Sequence, residues 1–291
     1  MRLKKARWPL RVKDRVILLY RLLNDFVKRA LMLLVDELRA EVLMRSGPLK
    51  HVLSFPFDII ISCRGCSFLV RRGTDHYVLL TDDFEAPVCE FFRPSEGDIV
   101  IDVGAYVGFH TIMAARAVGP AGLVVAIEPH PENFTSLVSN VRLNRLSNVI
   151  CLRCAAWHEN GYIVLRESVW SYGHKALPKA MGKGVLVRAR RLDDVADELG
   201  LKEVNWVKIG VNGAEPSVID GMLGILDRNR GKLKLIIEAH SLKEAKACVR
   251  RLSELGYVVK LIGANISVHG QVIWLLASAR GVRHPDEKLK S

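Results

Sequence analysis

Asp98-Ile-Val-Ile-Asp102-Val-Gly104-Ala-Tyr-Val-Gly108 is the stretch that decides the fold of this chain. A short apolar run rich in β-branched residues predicts a strand that ends at an acidic residue, Asp102. The chain then breaks into a loop carrying Gly104 and Gly108. From Phe109 to Val118 the pattern becomes helical, with Ile112, Met113 and Ala115 able to face a sheet. Strand, glycine turn and helix together form the ligand-binding corner of a doubly wound α/β sheet. The glycines are expected to let the backbone approach a ligand, because a Cβ there would collide with it.

The next strand extends this reading. Leu123-Val-Val-Ala-Ile127 is a buried-strand run that stops at Glu128-Pro129. A carboxylate at the tip of the second strand can accept hydrogen bonds from two ribose hydroxyls. Glu128 lies 24 residues beyond Gly104, close to the spacing of ~20 that this role requires. Loop and carboxylate together point to an adenosine-type ligand.

The segment 102–108 followed by Glu128-Pro-His-Pro131 resembles the S-adenosylmethionine site of class I methyltransferases. It differs from the dinucleotide fingerprint, which places a third glycine at the helix start. Downstream, Arg191-Leu-Asp-Asp194, Val207-Lys-Ile-Gly-Val-Asn-Gly-Ala-Glu215-Pro and Ile236-Ile-Glu-Ala-His240 are similar to the "LDD … IKIDVEGAE" segment and next strand end of the FkbM family. The resemblance covers residues 65–280 and implies S-adenosylmethionine as cofactor. It implies a mostly parallel, doubly wound sheet with a reversed final hairpin. Asp102 and the loop of Gly104, Ala105, Tyr106 and Gly108 would hold the methionine portion. Glu128 with Pro129 would hold the ribose, and Ala155 and Ala156 would let the adenine lie flat. The fourth strand end, with Asn212, would face the acceptor.

Where the family motif has Asp and Glu, this chain has Gly210 and Asn212. Two carboxylates are thus missing from the loop best placed to take a proton from a hydroxyl acceptor. The remaining candidates for catalysis are His240, Lys208 and Glu215. His240 reads as the leading base, since imidazole titrates near neutral pH, or as a neutral helix cap. Glu215 serves the acceptor or caps its own helix. Lys208 faces the acceptor or solvent, and Glu238 reads as a supporting or core-paired residue. Asp193 and Asp194 read as helix-start signals, and His110 as structural.

The remaining sequence sets the organisation. Strand–helix alternation is expected at 98–103 and 109–118, 123–127 and 131–143, 148–154, 204–209 and 215–228, and 232–238 and 242–255. Strands 257–262 and 272–277 are separated only by a turn-rich loop, so they must run antiparallel. Four units are expected: a basic amphipathic helical extension over 1–50, a short β-rich elaboration over 51–97 with runs at 59–62, 67–71 and 77–80, the cofactor-binding domain over 98–280, and a polar tail over 281–291. The insert 158–203 is expected to form a hairpin, 162–165 with 185–189. Its tip carries Trp170, Tyr172, His174 and Lys175, groups able to grip a sugar, base or phosphate.

Net charge is +12. Residues 1–50 hold 13 Lys/Arg against 5 Asp/Glu, and residues 140–191 hold 10 against 2. That excess suits an anionic or hydroxyl-bearing acceptor, RNA as the second choice, and a membrane surface contacted by the N-terminal helix as a lesser one. Charged residues interrupt every apolar run near the N-terminus, which argues for a cytoplasmic protein with neither membrane span nor signal peptide. Gln271 is the only glutamine, a composition that suits a thermophile. Cys63 and Cys66 could form a disulfide at a turn. Cys151 and Cys154 lie three apart on an expected strand and point to opposite faces, which disfavours a zinc site. A protein that binds the cofactor without turning it over is the third functional reading.

Overall fold

A computed structural model describes residues 58–71, 76, 85–168, 173–178, 184–267 and 270–279. The expected extension 1–50, the run 77–80, the tail 281–291 and the tip residues Trp170 and Tyr172 lie outside the described residues. Among those described, no helix is long and apolar enough to cross a membrane.

The elements follow in chain order. A hairpin of β1 (Ile59–Cys63) and β2 (Cys66–Val70) precedes a short helix α1 (Ala86–Phe91). Then come β3 (Ile99–Val103), α2 (Phe109–Val118), β4 (Leu123–Ile127), α3 (Pro131–Leu143) and β5 (Val149–Leu152). The insert supplies β6 (Ala155–Ala156), β7 (Gly161–Arg166), β8 (Lys175–Leu177) and β9 (Val185–Arg190). The second half contains α4 (Leu192–Glu198), β10 (Trp206–Ile209), α5 (Glu215–Asp220), α6 (Leu223–Arg228), β11 (Lys234–Ala239), α7 (Leu242–Glu254), β12 (Tyr257–Ser267) and β13 (Gly270–Ala279).

Seven strands form one sheet in the order β12-β13-β11-β10-β3-β4-β5. β3, β4, β5, β10 and β11 are parallel, while β13 runs antiparallel to both β11 and β12. The reversed final hairpin is therefore present, but its strands are longer than expected. Residues 263–267, read as loop, continue β12 in register with β13 after a shift between Leu261 and Gly263. The central strands are buried on both faces, with Val100, Ile101, Val124, Val125, Val207 and Leu235 fully covered, as parallel strands flanked by helices must be.

The helix expected over 215–228 is two helices. At Gly221 an added Cβ would strike the Trp157 carbonyl oxygen, so the chain passes too close to its neighbour for any side chain. Asp193, read as capping its own helix, instead accepts from the N–H groups of Gly224 (3.0 Å) and Ile225 (2.8 Å) and so starts α6. The strand expected over 148–154 is shorter: Ala155 and Ala156 leave the large sheet and pair with β9 in a four-stranded sheet ordered β6-β9-β7-β8. Cys151 and Cys154 pack into different core clusters. Of the pair that could form a disulfide, Cys66 is a free thiol, and its Sγ lies 3.7 Å from Met113 Sδ.

Candidate functional site

The carboxyl ends of β3, β4 and β10 and the inner face of the small sheet enclose an open cleft of about 540 Å³. Its wall includes Gly104, Tyr106, Glu128, Pro129, Ala155, Ala156, His174, Gly210 and Asn212. Six of the nine residues expected to hold a cofactor therefore meet in one cavity, with two of the residues expected to touch an acceptor. Asp102, Ala105 and Gly108 do not line it. Lys175 is exposed on β8, the edge strand of the small sheet.

Glu128 is the floor of this cleft. Its Oε2 accepts from Tyr106 N and its Oε1 from His130 N, both at 2.9 Å. Tyr106 reaches this position through a left-handed backbone, φ 54°. A carboxylate offers about four acceptor directions; two backbone donors and the Asn133 side chain take up three of them and fix its orientation. Burial pushes the Glu128 carboxyl up to about 7, against those hydrogen bonds. An oriented carboxylate with an acceptor direction to spare, beside the small side chains of Ala155 and Ala156, fits an adenosyl group with its ribose hydroxyls.

The glycines are required by the protein's own packing. A Cβ on Gly104 (φ +77°) would strike the Gly210 carbonyl oxygen, and one on Gly108 (φ +93°) would lie 2.8 Å from Leu137 Cδ1. The protein's own backbone and side chains exclude a side chain there. Gly104 N and Ala105 N both donate to Ile127 O at 3.0 Å, which ties the loop to the end of β4.

His174 closes one side. Its ring stacks on His130 at 4.1 Å between centroids, and Asn212 Nδ2 donates to its carbonyl at 3.2 Å. Ser168 N donates to His174 Nδ1 at 3.0 Å, so the ring proton sits on Nε2. That nitrogen is buried and has no protein partner among the described residues. Burial, then the neighbouring His130, lowers the His174 pKa to about 4. The ring is a neutral donor at physiological pH.

Behind the wall at Gly210 lies a second, charged layer. Lys208 is 4% exposed and does not face solvent. Its Nζ donates to Gly104 O at 3.4 Å and lies 3.7 Å from Asp102 Oδ1 and 3.8 Å from Glu85 Oε2. Burial alone would lower the Lys208 pKa, but Glu85, Asp102 and Glu238 hold it above the ordinary lysine range. Asp102, expected at the methionine portion, is fully buried and accepts from Thr111 Oγ1 at 2.6 Å. Glu85 was not anticipated. Its Oε2 lies 2.6 Å from His110 Nε2, so His110 belongs to this layer as well.

His240 does not suit the role of base. Its Nδ1 lies 3.4 Å from Glu215 Oε1 and its Nε2 3.5 Å from Glu238 Oε1. Burial opposes the charged ring, yet the two carboxylates raise its pKa to about 10. An imidazolium at neutral pH has no lone pair with which to take a proton. Glu215, expected as catalytic, is fully buried; its Oε1 also accepts from Gly213 N (3.0 Å) and Val211 N (3.3 Å), holding the loop after β10. Gly210 lets Lys208 and Glu238 close in on the backbone: an added Cβ would lie 3.1 Å from Lys208 Nζ and 3.3 Å from Glu238 Oε2, tighter than a side chain usually sits.

Comparison with known proteins gives a family. A model of the Methyltransferase FkbM domain matches residues 102–259. Methyltransferase 1 of Beauveria bassiana is 26% identical over 148 residues, covering 44% of this chain and 59% of that protein. A tRNA(Phe) (4-demethylwyosine(37)-C(7)) aminocarboxypropyltransferase of Methanocaldococcus jannaschii is 41% identical over 59 residues, covering 20% of this chain and 23% of that one. The chain therefore spans only part of the length of both curated relatives. Among solved structures, methyltransferase FkbM of Methylobacillus flagellatus superposes with TM-score 0.48 at 19% identity, over 63% of this chain and 44% of that one.

Proposed function

The chain belongs to the FkbM methyltransferase family, and from that premise we propose that it methylates a hydroxyl of a sugar-like or other small molecule, using S-adenosylmethionine. Glu128 carries this reading: its carboxylate is oriented by two backbone N–H groups and opens onto the cleft. When bound, S-adenosylmethionine supplies an electrophilic methyl group on a sulfonium. Glu128 would accept hydrogen bonds from the ribose hydroxyls, and Ala155 and Ala156 would flank the adenine. His174 lines the same wall. The cofactor domain 98–280 would be the catalytic unit, with Glu85 of the segment 51–97 reaching it.

The acceptor hydroxyl would approach the cleft wall at Gly210. There it would meet one donor, Lys208 Nζ, and one acceptor, Glu238 Oε2, placed 3.1 Å and 3.3 Å from the site of the missing Cβ. Glu238 Oε2 would take the hydroxyl proton while the Lys208 ammonium stabilises charge developing on oxygen. The His240 imidazolium, fixed on Glu238 Oε1, would hold that carboxylate in place. Glu238 thus replaces His240 as the proton acceptor in this reading.

One observation favours RNA as a second acceptor class. On the outer face of the small sheet, Arg166 pairs with Lys175 and the 60%-exposed Tyr162 pairs with Arg188. Cations interleaved with an aromatic ring suit a nucleic-acid strand. Transfer of label from methyl-tritiated S-adenosylmethionine to fractionated cell extract tests both. Label in a small-molecule fraction supports the main reading; label in RNA, weakened by added salt, supports the second. Glu238→Gln is expected to slow transfer ~10²–10⁴-fold with little change in cofactor affinity. Cofactor binding without transfer to any fraction would favour a protein that does not turn over.

A further inference from the structure

We propose that Glu85 is a positioning residue for the cleft: a single carboxylate oxygen braces both ends of the loop 104–108 from outside the cofactor domain. At one end, Oε2 lies 3.8 Å from Lys208 Nζ, which donates to Gly104 O at 3.4 Å. At the other, the same oxygen lies 2.6 Å from the ring of His110, in the first turn of α2 two residues after Gly108. Between these anchors stands Tyr106, whose N–H orients Glu128. A displacement of either end therefore reaches the carboxylate on which the cleft's chemistry depends.

Three further observations support this role. Glu85 has a left-handed backbone, φ 43° and ψ 43°, immediately before α1. Such a conformation in a non-glycine residue persists only where its surroundings hold it. Second, Gly210 offers Lys208 no carboxylate from the β10 side, so Glu85 supplies a counter-charge from the opposite side. Third, burial would push the Glu85 carboxyl up, but Lys208, His110 and His240 hold it at about 2. It remains an anion throughout the range in which the protein would work. Glu85 also lies outside residues 102–259, the span matched by the family model, so this brace is supplied by the segment before the family domain.

The inference rests on the reading of the cleft as an S-adenosylmethionine site, and its test separates the two. Calorimetric titration of the full chain with S-adenosylmethionine would compare wild type, Glu85→Gln and Glu85→Asp. Amide hydrogen exchange of the unliganded proteins would be followed in parallel. In the wild type, Gly104 N and Ala105 N bond to Ile127 O, Tyr106 N to Glu128 Oε2 and Gly108 N to Ala105 O, so four loop amides report directly. Glu85→Gln is expected to weaken binding at least tenfold and to speed exchange in 104–108 at least tenfold. The exchange of β4 should stay near wild type and both variants should remain folded at pH 7, although Glu85→Gln should unfold at a lower midpoint, and Glu85→Asp should recover part of the lost affinity and loop protection. Wild-type affinity and loop exchange in Glu85→Gln would overturn the proposal. So would loss of folding in both variants, because Glu85 would then support the whole fold rather than the loop. Faster loop exchange in Glu85→Gln, with no binding even by wild type, would uphold the brace and remove the cofactor reading.

Discussion

Glu128 and Glu85 are carboxylates of the same kind, both removed from water beside the same cleft, and their surroundings drive them in opposite directions. Glu128 is met by backbone N–H groups, and burial prevails, pushing it up to about 7. Glu85 is met by the Lys208 ammonium and the His110 ring, and these partners prevail, holding it at about 2. Burial penalises charge in both; the nature of the partner decides the outcome. The two environments suit different work. A carboxyl poised near neutrality and open to the cleft can respond to a ligand, whereas a permanently charged one can only hold its neighbours.

The largest test of this contrast removes the cation between the carboxylates. Lys208→Met leaves Glu85 and Asp102 without their shared ammonium and is expected to lower stability at pH 7 by ~3–5 kcal/mol, read by denaturant unfolding. An unchanged midpoint would mean that the charged layer is not held together by Lys208. Next come the opposed pH windows. Between pH 4.5 and about 7, native Glu128 retains a proton that the unfolded chain has released. Its contribution is therefore fully present below pH 4.5 and lost as pH rises through 7. Glu128→Gln should abolish that decline and be more stable than wild type at pH 8, by up to ~3 kcal/mol. For Glu85, folded at about 2 against 4.5, the contribution is present above pH 4.5 and lost as pH falls toward 2. Glu85→Gln should flatten only that acid limb. Declines on the same side of neutrality for both residues would break the contrast. The smallest effect is expected at His174: replacing it by Ala removes one neutral donor and should weaken cofactor binding by ~0.5–1.5 kcal/mol, read by calorimetry.

Much of the frame was legible in the sequence because it is local. The helices at 109–118 and 131–143 and the strand at 123–127 have the bounds read from periodicity and turn residues. The Glu128 position follows from strand-end spacing alone. The features that escaped depend on close approach between distant segments. The break at Gly221 comes from the Trp157 carbonyl, and Asp193 caps a helix 31 residues away. Glu85 gave only a weak signal, an acidic residue two positions before Pro87, which reads as an ordinary helix start. Its partners, His110 and Lys208, lie 25 and 123 residues later in the chain. The setting of His240 was hidden for the same reason: intrinsic imidazole chemistry suggests a base, but carboxylates from β11 and α5 lie 3.5 Å and 3.4 Å from its ring nitrogens and favour the cation.

Calorimetric titration of wild type and Glu128→Ala with S-adenosylmethionine tests the central claim most directly. A hydroxyl bond to a carboxylate, worth ~1.5–3 kcal/mol, should be lost in the variant, lowering affinity by about tenfold or more while it remains folded. In the wild type, affinity should strengthen as pH rises through about 7, where Glu128 becomes fully charged. Equal affinity in the two proteins, or no binding by either, would contradict the assignment of the cleft as the cofactor site.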